Sequence, residues 1–380
     1  MARSREKVGL ILTGGGARAA YQIGVLKAVS EILGKGRHNP FPILCGTSAG
    51  AINAAALGAY ASHFSGAIAE LEDVWRSFHA HRVYRSDPPA IIRTGGRWLA
   101  AMMQVYRRNP ISLLDNSPLR RLLWERIDFG RIGRNLANGS LHALSVTASG
   151  YTSGHSVSFF QAVQGVQPWE RVQRVGVAAT ITLDHLMASS ALPFLFPAVK
   201  LHREYFGDGS MRQTAPISPA LHLGADRVFV IGTGLRLRDH EHAQPVRSSI
   251  YPSVAQIAGH ALNSIFLDTL AHDIDWLERI NRIIGLFPPE NRKLLPFRRI
   301  EVLVIAPSEP IERIAARHVR ELPRTIRFLL GALGGTRKSG ANLASYLLFE
   351  AGFCDALIGL GYRDAMARRD LVSAFFEMAM

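Results

Sequence analysis

The feature that most constrains this chain is a unit used twice near its start: a short apolar run, a glycine turn, then a helical pattern. Val8 to Thr13 (VGLILT) ends at Gly14-Gly15-Gly16, and from Tyr21 to Leu33 the apolar positions Ile23, Leu26, Val29, Ile32 and Leu33 recur at helical spacing. Phe41 to Cys45 is a second apolar run, broken at Gly46, and Ala49 to Ala61 is alanine-rich without proline, a good buried helix. Strand character returns at Leu141 to Thr147, at Val157 to Phe160 after the Ser153-Gly154 turn, and around Val199 to Tyr205. Arg227 to Ile231 and Glu301 to Ile305 are β-branched runs typical of buried parallel strands. Strands alternating with helices imply an α/β sheet with helices on both faces.

Between His63 and about Leu136 the pattern is helical, with breaks at Asp87-Pro88-Pro89, Thr94-Gly95-Gly96 and Asn109-Pro110. Ser117-Pro118 reads as an N-cap followed by proline at the first helical position. After Pro310 only helical pattern remains, to Met380. With 380 residues, 48% hydrophobic and 19% charged, the chain is neither disordered nor collagen-like nor a coiled coil. Val8 to Leu12 is shorter than the roughly 7 to 15 apolar residues of a signal-peptide core, and is read as a first strand. No stretch of about 20 apolar residues runs uninterrupted, so membrane contact is expected to be peripheral. Cys45 and Cys354 are the two cysteines, which excludes a disulfide framework or a cysteine-built zinc site and fits a reducing, cytoplasmic compartment; no metal or cofactor is expected.

Three motifs carry chemistry. Gly46-Thr47-Ser48-Ala49-Gly50 is G-x-S-x-G placed directly after a strand and before a helix. Its glycines permit a strained turn that presents Ser48 Oγ, and the helix offers free N–H groups and the positive end of its dipole. The competing reading is a glycine turn whose serine merely caps the helix. Gly14 to Ala19 fits G-x-G-x-x-A, the dinucleotide fingerprint, but the second strand ends in Cys45-Gly46 where a ribose-binding acid belongs, and no G-K-[ST] follows. What remains is a nest of backbone N–H groups beside the strand of Ser48, suited to the oxyanion of acyl transfer, or else a tight turn without a ligand. Phe206-Gly207-Asp208-Gly209-Ser210 sets an acid between two glycines just after a strand, which makes Asp208 the candidate base; the alternative is an ordinary Asp-Gly turn. Tyr205 and Phe206 would help to keep water from it.

In their order and surroundings these motifs resemble those of the patatin-like phospholipase family, with an oxyanion segment at Gly14, Gly15, Gly16, Ala17 and Arg18. The nucleophile elbow is Gly46, Thr47, Ser48, Ala49 and Gly50, and the Asp-Gly motif is Asp208, Gly209 and Ser210. The stretch Ala188 to Pro197 and the run Asp208 to Arg227 also resemble bacterial members. The resemblance implies a three-layer α/β/α fold with a mainly parallel central sheet and a catalytic domain over residues 6–310. That domain would carry a mainly helical insertion at about 63–140, and residues 311–380 would form a helical C-terminal extension packed on it. It further implies that a Ser48–Asp208 dyad hydrolyses lipid acyl esters, phospholipid or acylglycerol, without histidine or calcium. This chain departs from the family pattern at Ala19 and Ser210, where glycine is common.

A conventional Ser-His-Asp esterase or thioesterase would need a histidine after the acid, and His222, His240, His242, His260, His272 and His318 all follow Asp208; none sits in a glycine-rich loop after a clear strand. Arg18 either fixes the glycine loop, meets a lipid phosphate or forms a salt bridge. Lys plus Arg number 44 against 30 Asp plus Glu, a formal charge of +14 that favours an anionic partner. Arg82, Arg85, Arg93, Arg97, Arg107 and Arg108 surround Trp98, Met102, Met103 and Tyr106, and Arg292, Lys293, Arg298 and Arg299 flank Leu294, Leu295 and Phe297. Such interleaving suits an anionic membrane, here the inner face, as well as it suits a solvated helix. No nucleic-acid signature accompanies the charge, so nucleic acid is not expected as a partner. A catalytically silent lipid-binding scaffold of the same fold is the alternative from a different class.

Overall fold

The computed structural model describes residues 6–34, 39–87, 112–234, 253–265, 269–288, 290–332 and 341–377. Its centre is a ten-stranded mixed sheet. Five neighbours, β10 (Glu301–Ile305), β9 (Arg227–Ile231), β1 (Val8–Leu12), β2 (Ile43–Thr47) and β3 (Ala143–Gly150), are mutually parallel. The order continues through β4 (Ser156–Ala162), β6 (Arg174–Ala178) and β5 (Trp169–Arg171). Beyond the end of β2, the last residues of β3 pair antiparallel with β8 (Glu204–Asp208), which carries β7 (Val199–Leu201) on its other side. This is the expected α/β fold, with a mainly parallel sheet and helices on both faces.

The alternation along β1 shows how the sequence builds two cores. Val8, Leu10 and Leu12 point to one side, where they join α1 (Ala20–Ile32), α2 (Ala49–Ala59), α13 (Ala351–Met366) and α14 (Arg369–Glu377). Ile11 points to the other, with Ile43, Cys45, Val228 and Val230, against α7 (Ser218–His222) and α9 (Thr269–Leu286). Residues beyond 310 share the first core: Phe375 and Phe376 meet Phe229 at ring-centroid distances of 5.8 and 5.9 Å, and Phe376 meets Phe41 at 5.4 Å. α13 crosses α1 with glycine on each side, since a Cβ on Gly24 would lie 1.9 Å from the Ile358 carbonyl oxygen and one on Gly361 would lie 2.1 Å from that of Tyr21.

The run expected as one strand over Val199 to Tyr205 is a hairpin, because His202 at φ 51 turns the chain back. The N-cap of α4 (Ser117–Arg126) is Asn116 rather than Ser117, so proline stands at the second helical position; Asp115 Oδ1 accepts from Ser117 N–H at 2.9 Å and does the capping. Among the described residues no single helix is long and apolar enough to cross a membrane. One bent pair passes that test on length and composition, α12 (Ala341–Leu347) with α13 at 97°, and both helices are packed largely inside the core. Residues 93–108, with their basic and aromatic side chains, and His240 and His242 lie outside the described residues.

Candidate active site

Ser48 stands between β2 and α2 at φ 55, ψ −129, a conformation that costs a non-glycine residue about 1 to 3 kcal/mol. Its side chain makes no capping hydrogen bond, so the simple cap reading is set aside. The turn is held by its neighbours. Ser48 N–H donates to Ser189 Oγ at 2.9 Å, Ser189 Oγ–H donates to the Thr147 carbonyl at 2.6 Å, and the Ser48 carbonyl accepts from Ala51 N–H at 2.9 Å. The flanking glycines are needed for space. A Cβ on Gly46 would lie 2.4 Å from the Gly50 carbonyl oxygen, and one on Gly50 would lie 2.2 Å from that of Leu12. Thr47 turns its hydroxyl away, to Gln213 Oε1 at 2.8 Å.

The strand register sets the glycine loop beside this elbow, because Leu12 of β1 pairs with Gly46 of β2. Gly15 has φ 152 and Gly16 φ 55, and a Cβ on Gly16 would meet the Tyr346 carbonyl at 2.3 Å, so only glycine fits there. Thr233 Oγ1–H donates to the Gly14 carbonyl at 2.7 Å and fixes the start of the loop. Among the described residues the N–H groups of Gly15, Gly16 and Ala49 find no backbone acceptor, as expected at two helix starts. Gly16, Ser48 and Ala49 line one cavity, and Ala17 is buried behind them. Arg18 is buried and does not face that cavity. Its guanidinium donates to Ser345 Oγ at 2.7 Å, to Asn263 Oδ1 at 3.4 Å and to Asn342 Oδ1, and lies 4.1 Å over the Tyr346 ring. Its partners among the described residues are neutral groups of α12 and α8 (Val254–Asn263), which tie the glycine loop to those helices, and no acid pairs with it.

Asp208 ends β8, opposite Ala148 of β3, and is fully buried. Oδ1 accepts from Ser210 N–H at 2.9 Å, whereas Oδ2 has no hydrogen-bond partner among the described residues. Burial pushes the carboxyl up to about 6, against the opposing pull of the nearby Ser48 hydroxyl and of Ser210. Gly209 is anchored by Ser149, whose hydroxyl donates to its carbonyl at 3.3 Å. Of the two apolar candidates before the motif, Phe206 is buried against Phe159 at 5.4 Å, and Tyr205 is exposed. Tyr151, whose ring lies against Gly207, is exposed as well; burial and then the charge of Asp208 raise its hydroxyl.

Ser48 opens on an apolar cavity whose walls are α2, α3 (Phe64–Arg76), α4 and the segment from Ser190 to Phe196. Among the described residues no histidine lines it. His222 stacks on Trp169 at 4.8 Å, His318 Nδ1 pairs with Glu321 at 2.7 Å, and His260 and His272 lie on α8 and α9. The residues that sequence reading misses are Ser189, Thr233 and the Asn342–Tyr346 segment. Ser189 falls inside the Ala188 to Pro197 stretch already singled out, while the other two carry no local signal. Among the described residues no group of three or more His, Cys, Asp or Glu is arranged to hold a metal ion.

The family model for patatin-like phospholipases matches residues 10–221. Over 215 residues the chain is 29% identical to a cGAMP-activated phospholipase of Pseudomonas aeruginosa, a match covering 56% of this chain and 55% of that protein. The chain therefore spans about half the length of the curated relative it matches. Among solved structures it is similar to VipD from Legionella pneumophila at 12% identity, with a TM-score of 0.35, over 97% of this chain and 67% of that one.

Proposed function

The chain belongs to the patatin-like phospholipase family, and from that premise we propose that it is a serine hydrolase of lipid acyl esters working through a Ser48–Asp208 dyad. The observation that carries this reading is the placement of Ser48: a strained serine at the start of α2, open to an apolar cavity, with a buried acid whose Oδ2 is uncommitted behind it. Ser48 Oγ attacks the ester carbonyl while its proton passes to Asp208 Oδ2. The N–H groups of Gly15, Gly16 and Ala49 receive the charge that develops on the carbonyl oxygen. Collapse returns the proton to the leaving alcohol and leaves an acyl-serine, which water then hydrolyses by the same route. An ordinary carboxylate is a weak base for a hydroxyl, and a burial-raised one is better matched to it.

Substrates of this kind reside in bilayers. The formal charge of +14, with Leu294 and Phe297 exposed beside Arg292 and Arg298, supports peripheral contact with an anionic membrane surface, in a cytoplasmic setting the inner face. Covalent labelling by a fluorophosphonate tests the reaction. The wild type should label at Ser48 and release fatty acid from phospholipid or acylglycerol, while Ser48→Ala should do neither. A folded wild-type protein that neither labels nor turns over would make it the silent lipid-binding scaffold.

A further inference from the structure

The cavity at Ser48 is long in one direction. Along α2 its lining runs Ala49, Ile52, Asn53, Ala56 and Tyr60, spaced by three and four residues, so one face of the helix is its floor from the first turn to the C-cap. α3 returns antiparallel after a tight turn, in which His63 N–H donates to the Tyr60 carbonyl at 2.8 Å. It therefore sets Ala67 beside the far end and Trp75 beside Asn53, and Trp75 Nε1–H donates to Asn53 Oδ1 at 3.0 Å. The Asn53 amide is further used by Gln22 Oε1 at 2.9 Å, so the one polar residue in mid-floor presents no free group to an apolar guest. α4 closes the side with Leu119, Leu122 and Leu123. Tyr60 is the last α2 residue in the lining, and Glu70 and Arg126, both charged and exposed, mark where the lining meets solvent.

From Ser48 to Tyr60 a helix rises about 18 Å at roughly 1.5 Å per residue. A zigzag of carbon–carbon bonds about 1.5 Å long advances about 1.25 Å per carbon. We infer that α2 is a ruler for the acyl chain: the site takes acyl groups of about 14 carbons, with the carbonyl at Ser48 and the methyl end at Tyr60, and Ala56 keeps the passage open at about the ninth or tenth carbon. This rests on the hydrolase reading above, and it names that site's substrate as long-chain acyl esters.

Chain-length profiles test it. For p-nitrophenyl esters of the wild type, kcat/KM should rise from butyrate to about myristate and rise no further at stearate, because each buried methylene adds about fourfold until the charged end is reached. Ala56→Phe should lower the myristate-to-butyrate ratio at least tenfold and move the optimum to about eight carbons. Leu122→Phe, from the facing wall, asks the same question if Ala56→Phe does not fold. Calorimetric binding of octanoate, myristate and stearate to Ser48→Ala reads the seat without turnover. Graded binding with no hydrolysis by the wild type would sink the hydrolase reading and keep the ruler. A flat profile in both measurements, or equal losses at every length in folded Ala56→Phe, would overturn the ruler and make the cavity a passage.

Discussion

Ser48 holds a backbone conformation that only glycine adopts without strain, and the fold tolerates that cost because hydrogen bonds from both sides over-determine the turn. Ser48→Gly should accordingly abolish turnover while raising stability by about 1 kcal/mol in chemical denaturation, the opposite of what an ordinary helix-start serine would show. Asp208 gives the second prediction. Its folded carboxyl is raised to about 6 from the usual 3.8, so the native state binds its proton more tightly than the unfolded chain does. Its contribution to stability is therefore favourable below about pH 4 and is lost as pH rises from about 4 to 6, at a total cost on the order of 3 kcal/mol. If Asp208 is the proposed base, turnover requires its ionised form, so kcat/KM should rise through about pH 6 as that stability falls. Asp208→Asn should remove both trends, and a urea-denaturation series from pH 4 to 8 beside a pH–rate profile would check them. Both residues are legible in the sequence because glycines flank them at fixed offsets. Ser189, which holds the elbow, is not legible, since a serine in a helical stretch looks the same whether or not its hydroxyl bridges Ser48 and Thr147.

At the scale of elements, the parallel strands could be read because β-branched runs stand out; Arg227–Ile231 and Glu301–Ile305 match residue for residue, although the second lies at the sheet edge and is fully buried only at Ile305. The pair β5 and β6 could not, since Trp169–Arg171 and Arg174–Ala178 are short, largely exposed and mixed in polarity. The crossing of α1 and α13 was equally hidden, because Gly24 and Gly361 lie in helical patterns where glycine is a mild fault, and only their contact gives it a purpose. Either Gly24→Ala or Gly361→Ala would press a methyl into backbone. Each should cost more than about 3 kcal/mol, read as a large drop in melting temperature or as loss of soluble protein. Gly16→Ala acts on the next element. It forces a positive-φ site and the Tyr346 carbonyl to move, and misplacing one oxyanion donor should lower kcat about 10²- to 10³-fold with a smaller change in KM.

For the molecule as a whole, the excess of positive charge is the property most open to solution conditions. Screening shortens to about 3 Å at 1 M salt, so binding to anionic vesicles should fall steeply between low and high salt; equal binding to neutral vesicles at low salt would count against a charge-driven contact. The last third of the chain is joined to the first through Arg18, Gly16 and the Phe41–Phe229–Phe376 cluster, and these contacts span more than 300 residues of sequence. That has a consequence for how the protein comes into being. A ribosome adds roughly 5 to 20 residues per second, so the glycine loop leaves the exit tunnel tens of seconds before Tyr346 and Asn342 exist to shape it. Throughout that interval the nascent chain lacks the contacts that seat the glycine loop beside Ser48, and the segment from Asn342 to Tyr346 is what completes the candidate site.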